Sequence, residues 1–269
     1  MNHTAILAIA RRDLTVMVRN KAVIAPAVLV PALLVAMTAV GTWLVSRSGT
    51  SLVQAQAVLD QIPEGLLAGD ASMPLEVRLA LVTATYLVPP ILIVVPLLVV
   101  SLLATDAVAG ERERGTIEGL MLSPITEREL MVGKVAGPLA VGLTVGLLAH
   151  LTYAVVVNIV LWPRLGGLTL PTGNWLVTVL WFGPAFTVLA LAAVVLVSAR
   201  ARTVQSAYQI SGALVLPLVL LTLGQATGVV LLKPWIGLVS GAVLLALSAV
   251  LTVVGSSWLS RERQLTSLP

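Results

Sequence analysis

Residues 81–105 read LVTATYLVPPILIVVPLLVVSLLAT, without one charged side chain. A helix crossing about 30 Å of hydrocarbon needs roughly 20 mostly apolar residues, and this run is long enough. Alone, it would also suit a helix buried in a large soluble protein. The composition decides between the two. Hydrophobic residues make up 58% of the 269-residue chain and charged residues 10%. A soluble domain is about 25% charged, because its surface must stay wet. Mean hydropathy is +1.03. Five further runs, at 22–45, 132–161, 175–198, 204–231 and 235–258, leave nothing soluble to bury them against. The expected fold is an all-α integral membrane protein, with six transmembrane helices in a single domain spanning residues 1–269.

Charge fixes the expected orientation, because Lys and Arg are retained on the cytoplasmic side. With the N-terminus inside, the cytoplasmic side holds Arg11, Arg12, Arg19, Lys21, Arg112, Arg114, Arg128, Lys134, Arg200, Arg202, Arg261 and Arg263. Only Arg47, Arg78, Arg164 and Lys233 fall outside. Both termini are therefore expected in the cytoplasm, in a multi-pass protein of the cell (plasma or inner) membrane. The net charge of +4 and the pI near 10 do not make a nucleic-acid binder. That needs basic residues gathered on one face, and these are spread between apolar blocks. The absence of cysteine excludes disulfides, thiolate metal sites and cysteine nucleophiles.

The paired arginines of ARRDLTV loosely resemble a twin-arginine signal, but no small-residue cleavage site follows. Residues 1–21 read better as an interfacial amphipathic helix. Ile6, Ala10, Leu14 and Met17 share one face, with Arg11, Thr15 and Arg19 on the other. The longest outside segment, 47–80, carries Asp60, Glu64, Asp70 and Glu76 and suits a small helical cap. The fifth run would measure roughly 42 Å as one helix. It contains Pro217, Gly224 and Gly228, and Pro234 follows. A broken, re-entrant region after the fifth span fits it better.

Beyond the opening run the character changes. GERERGTIEGLMLSPITERELMVGK, residues 110–134, holds nine of the chain's 28 charged residues. Gly115 breaks the chain and Thr116 can cap a new helix. Ser123-Pro124 stops that helix, since the residue before proline disfavours helical geometry. Thr126 and Glu129 then form a capping box that opens the third span. On the short helix 117–122, Ile117, Leu120 and Met121 stand at i, i+3 and i+4 and form one apolar face. Spacing alone leaves two readings of it: a face dipped into lipid headgroups, or one seated in a groove of a soluble partner.

This stretch resembles the signature of ABC-2 type permeases, the membrane subunits of a class of ATP-binding-cassette exporters. Gly115, Thr116, Ile117, Glu118, Leu120, Ser123, Pro124, Gly133 and Lys134 match the family pattern as they stand. The resemblance implies that 110–131 is a cytoplasmic coupling segment, docked on a nucleotide-binding subunit. Ile117, Leu120 and Met121 would be its apolar knobs and Glu118 a polar contact. Glu111, Arg112, Glu113 and Arg114 would form the elbow to the second span, or else a merely solvated turn. It also implies two copies of a cytoplasmic ABC ATPase and a second permease copy, identical or related, all set in membrane lipid and without nucleic acid. The chain itself would bind no cofactor, ATP and Mg lying on the partner ATPase. The one tempting phosphate loop agrees: ahead of Gly133-Lys134, Arg128 stands where the first Gly belongs, and Val135 replaces Ser/Thr. An outward-moved hydrophobic or amphipathic molecule, such as a drug, a lipid or a lipid-linked compound, is the expected substrate. Assembly or ion extrusion on the same fold is the alternative.

A membrane-embedded enzyme would need polar groups gathered within the bilayer, where they are costly. The candidates are His150, Tyr153 and Asn158 in the third span and Gln205, Tyr208 and Gln209 near the inner end of the fifth. They form no G-x-S-x-G or H-E-x-x-H pattern, and His3 is the only other histidine. They read as interhelical hydrogen-bonding groups or as pathway residues, so a transport subunit rather than an enzyme is expected. Asp106 reads as a solvated structural residue. Gly142/Gly146, Gly224/Gly228 and Gly237/Gly241 are G-x-x-x-G pairs that allow close helix packing, within the chain or between copies.

Overall fold

A computed structural model describes residues 73–110, 127–198 and 234–266, with single positions within 25–44 and 205–220. Four long helices result: α1 (Leu75–Gly110), α2 (Glu127–Leu165), α3 (Gly173–Ser198) and α4 (Pro234–Thr266). Each contains a stretch long and apolar enough to cross a membrane. No strand occurs among the described residues. The N-terminal helix expected within 1–21, most of the runs 22–45 and 204–231, and residues 111–126 lie outside the described residues.

The helices exceed the apolar runs they contain. α1 begins at Leu75, so residues 75–80, expected as the end of the outer segment 47–80, continue the helix of the run 81–105. Glu76 and Arg78 interrupt hydropathy there without interrupting backbone hydrogen bonding, and Val77 and Ala80 are buried on the same turns. α2 starts at Glu127, directly after Thr126, and runs on to Leu165. Gly166 ends it with φ 62°, a conformation that favours glycine, and returns its amide to Trp162 O. Thr172 opens α3 by accepting from the Trp175 amide at 3.2 Å.

α1 is the hub. Of its most apolar stretch 67% is buried, against 17% for α4. Towards the Gly166 end, Leu81, Ala84, Val88 and Leu92 of α1 pack with Tyr153, Val157 and Leu161 of α2 and with Trp175 and Val179 of α3. Halfway along, Ile93 and Leu97 meet Phe182 and Phe186 of α3. At the Gly110 end, Val100 and Ala104 pack with Leu191 and Val194, and with Val135 and Leu139. α4 is peripheral and leans on α3. An added Cβ at Gly237 would stand 2.8 Å from Val177, and one at Gly241 would stand 2.5 Å from the Trp181 indole nitrogen. That same nitrogen donates to Leu238 O at 2.9 Å. The Gly237/Gly241 pair is therefore spent within the chain.

The hub is also irregular, for a reason its sequence contains. Pro89, Pro90 and Pro96 have no N–H to give, so the carbonyls one turn before them lose their helical partner. A π turn over Thr83–Leu87 precedes the Pro pair, and the Val88 amide bonds Thr83 O. Ile93 then breaks the α-pattern, its amide turning to Pro90 O at 3.2 Å. A second π turn, Asp106–Gly110, closes α1. α3 carries a third over Thr178–Phe182, just ahead of Gly183-Pro184. Gly183 sits against the break: a Cβ there would meet Thr178 O at 3.0 Å and Ile93 at 3.6 Å.

Candidate functional site

The seam between α1 and α2 leads into the charged segment. On α2, Lys134, Pro138, Gly142, Gly146 and His150 follow one another at i+4 and are all buried. Such a row is a ridge that a neighbouring helix can engage. Lys134 Nζ donates to Ala107 O at 3.0 Å. A Cβ on Gly142 would collide with Val100, and one on Gly146 would come within 2.8 Å of the Pro96 ring. His150 Nε2 lies 3.1 Å from Pro89 O, and its Nδ1 lies 2.8 Å from Gly146 O. As numbers rise along α2 from 134 to 150, their partners fall along α1 from 107 to 89, so the helices run antiparallel in one fixed register. Two glycines bring the backbones together, and a polar side chain ties each end.

The two ties have different causes. Pro89 O is free because the Ile93 amide has gone to Pro90 O, and His150 reaches it across the interface. At the other end, Lys134 is only 5% exposed. A buried ammonium is costly unless hydrogen-bonded, and the π turn at Asp106–Gly110 supplies the carbonyl. Sequence reasoning grouped Lys134 with the loop charges; the i+4 row was the signal that placed it on the buried face. Asp106, expected to be solvated, is half-buried in the π turn. Thr105 and Ser198, at the same end of α1 and α3, are fully buried, and their hydroxyls have no hydrogen-bond partner among the described residues.

Asn158 lies further along α2 and organises the connection to α3. Its Oδ1 accepts from the amides of Thr169 at 2.8 Å and Leu170 at 3.0 Å, and its Nδ2 donates to Leu170 O at 2.8 Å. Tyr153 is fully buried in the cluster between α1, α2 and α3. Gln205 and Gln209 occupy exposed helical positions, and Tyr208 lies outside the described residues. The residues Glu111, Arg112, Glu113, Arg114, Gly115, Thr116, Ile117, Glu118, Leu120, Met121, Ser123 and Pro124 also lie outside them. What is described is the frame on either side: Gly110 ends the π turn of α1, and Glu127 opens α2.

The arrangement defines a polytopic α-helical membrane protein, in which the charged segment connects two helices held in one register. The family model for ABC-2 family transporter proteins matches residues 7–234, most of the chain, and the chain belongs to that family. It is thus a permease component of an ABC transporter, a membrane transport part that associates with an ABC ATPase and is not itself the catalyst. No curated protein matches it.

Proposed function

We propose that the chain is the membrane half of an exporter, which pairs with a second permease copy and two cytoplasmic ATPase subunits. Its substrate is hydrophobic or amphipathic: a drug, a lipid or a lipid-linked molecule. The family match over residues 7–234, which takes in the charged segment 110–131, supports this reading. Residues 117–122 form the helix that docks on the ATPase. Ile117, Leu120 and Met121 give it an apolar face, and Glu118 adds a polar contact. ATP-driven closure of the ATPase pair pulls on this segment, and the α1–α2 seam passes the movement into the membrane. Of the polar groups singled out in the apolar runs, His150, Tyr153 and Asn158 serve the packing of the bundle, which leaves Gln205, Tyr208 and Gln209 as the candidates for a transport route. No phosphate loop is needed on this chain, because ATP and Mg are held by the partner.

Docking is tested by the double change Glu118→Lys and Leu120→Ala. Membrane insertion and yield should be unchanged, while the amount of ATPase purified with the tagged permease falls by about tenfold, the effect of truncating an anchor in a groove. Normal co-purification would reject the docking assignment. Export is tested in proteoliposomes with a short-chain fluorescent phospholipid and a hydrophobic dye. ATP-dependent movement of either, lost with the double variant, is the expected result.

A further inference from the structure

We propose that Lys134 is a positioning residue of the transport cycle, binding the start of α2 to the end of α1 so that both answer a pull on the charged segment as one unit. The inference rests on the coupling reading above. Its ground is the bond from Lys134 Nζ to Ala107 O, 3.0 Å long and buried at both ends. Residues 107 and 134 bracket the charged segment. Without a cross-link between them, the end of α1 and the start of α2 would be joined only by apolar contacts on this side of Gly142, and force on that segment would divide between them.

Several observations separate this role from ordinary packing. Lys134 is 5% exposed, whereas the other lysines and arginines of the chain all fall outside the six apolar runs. An apolar residue would fill that space without the cost of burying an ammonium. The carbonyl it holds belongs to a π turn, where amide bonds shift from i−4 to i−5 and the ladder passes one carbonyl over. A donor from the next helix fixes such a turn in register. Ala107 is packed too: with Val99 and Leu103 it meets Val141 and Val145 of α2. The tie therefore lies at the edge of a packed apolar contact, on the helix that forms the centre of the bundle. Lysine suits the task because its ammonium turns three donors on a flexible stem, so the bond survives small movements of the turn.

The test uses the permease with its ATPase. Because the chain has no cysteine, Leu98→Cys on α1 and Ala140→Cys on α2, both exposed positions, can carry a spin-label pair. The distance between them is measured by pulsed EPR in proteoliposomes, with and without ATP and vanadate. In the parent chain the distance distribution should stay narrow, its mean unchanged by nucleotide, because the two helices move as one unit. In Lys134→Met the ATPase should still co-purify in the parent ratio, but the distribution should broaden without nucleotide. ATP-driven movement of the short-chain fluorescent phospholipid or the dye should fall about tenfold for each ATP hydrolysed, within the range of measured coupling between sites. Lys134→Arg keeps the charge and a donor, and should restore most of the coupling. A Lys134→Met permease that matches the parent in distance distribution and coupling ratio overturns the proposal. So does a Lys134→Arg permease no better than Lys134→Met, since the loss would then follow the shape of the side chain and not its charged donor. Failure of the ATPase to co-purify with the parent chain would instead remove the coupling reading, and this inference with it.

Discussion

His150 presents both ring nitrogens to carbonyl oxygens, Gly146 O at 2.8 Å and Pro89 O at 3.1 Å. A neutral imidazole has one N–H and donates to one of them; a protonated ring donates to both. The bond to Pro89 matters more for the fold, because it joins elements 61 residues apart and engages a carbonyl that the helix has released. In His150→Leu that carbonyl loses its partner inside the bundle. Interhelical hydrogen bonds in membranes are worth about 1 kcal/mol, so unfolding in mixed detergent should shift by about that amount. His150→Gln retains an N–H and should recover part of it. Equal stability for the Leu and Gln variants would show that the hydrogen bond contributes nothing beyond volume. From sequence, His150 was one of six polar residues singled out in the apolar runs, readable as a bonding group or as a pathway residue. What could not be read was its partner. Pro89-Pro90 announces a freed carbonyl, but not which helix will face it.

For a whole helix, legibility depended on what kind of signal it carried. Hydropathy located the stretches that became α1 to α4, because burial in lipid needs only length and few charges. It missed the ends. Glu76 and Arg78 stop an apolar run and not a helix, and α2 continues through Trp162 and Pro163 to Leu165. Packing was legible only as a possibility. Gly142 and Gly146 allowed close approach within the chain or between copies, and they are spent on Val100 and Pro96 of α1. This contact gives a sharp expectation. In Gly146→Ala the new methyl would stand 2.8 Å from two carbons of the Pro96 ring, which cannot rotate away. Overpacking of that kind costs about 1–3 kcal/mol. Gly173→Ala is the matched control: a Cβ there meets nothing within 4 Å, and alanine favours the helix it opens. Thermal unfolding in detergent should fall for Gly146→Ala and stay level or rise for Gly173→Ala. Parallel losses in both would mean that the α1–α2 backbones are not in this contact.

Over the molecule as a whole, the orientation proposed from twelve basic residues against four becomes a question about two points. Residue 168 lies in the connection between α2 and α3, and Leu168 is 74% exposed. Residue 267 follows the last turn of α4. Between them the chain passes through α3, residues 204–231 and α4. If 204–231 crosses the membrane, the passages are odd in number and the two points lie on opposite sides. If it enters and returns on the same side, they lie together. A cysteine-free background makes the experiment clean. With Leu168→Cys, a membrane-impermeant maleimide should react in intact cells. With Ser267→Cys it should react only after the membrane is opened. The reverse pattern would invert the orientation and put residues 110–131 out of reach of a cytoplasmic ATPase. Reaction of both from one side would leave the orientation to the Leu168 result and reduce the crossings between the two points to an even number. In that case residues 204–231 dip into the bilayer without traversing it, the extreme form of the break that Pro217, Gly224 and Gly228 suggest.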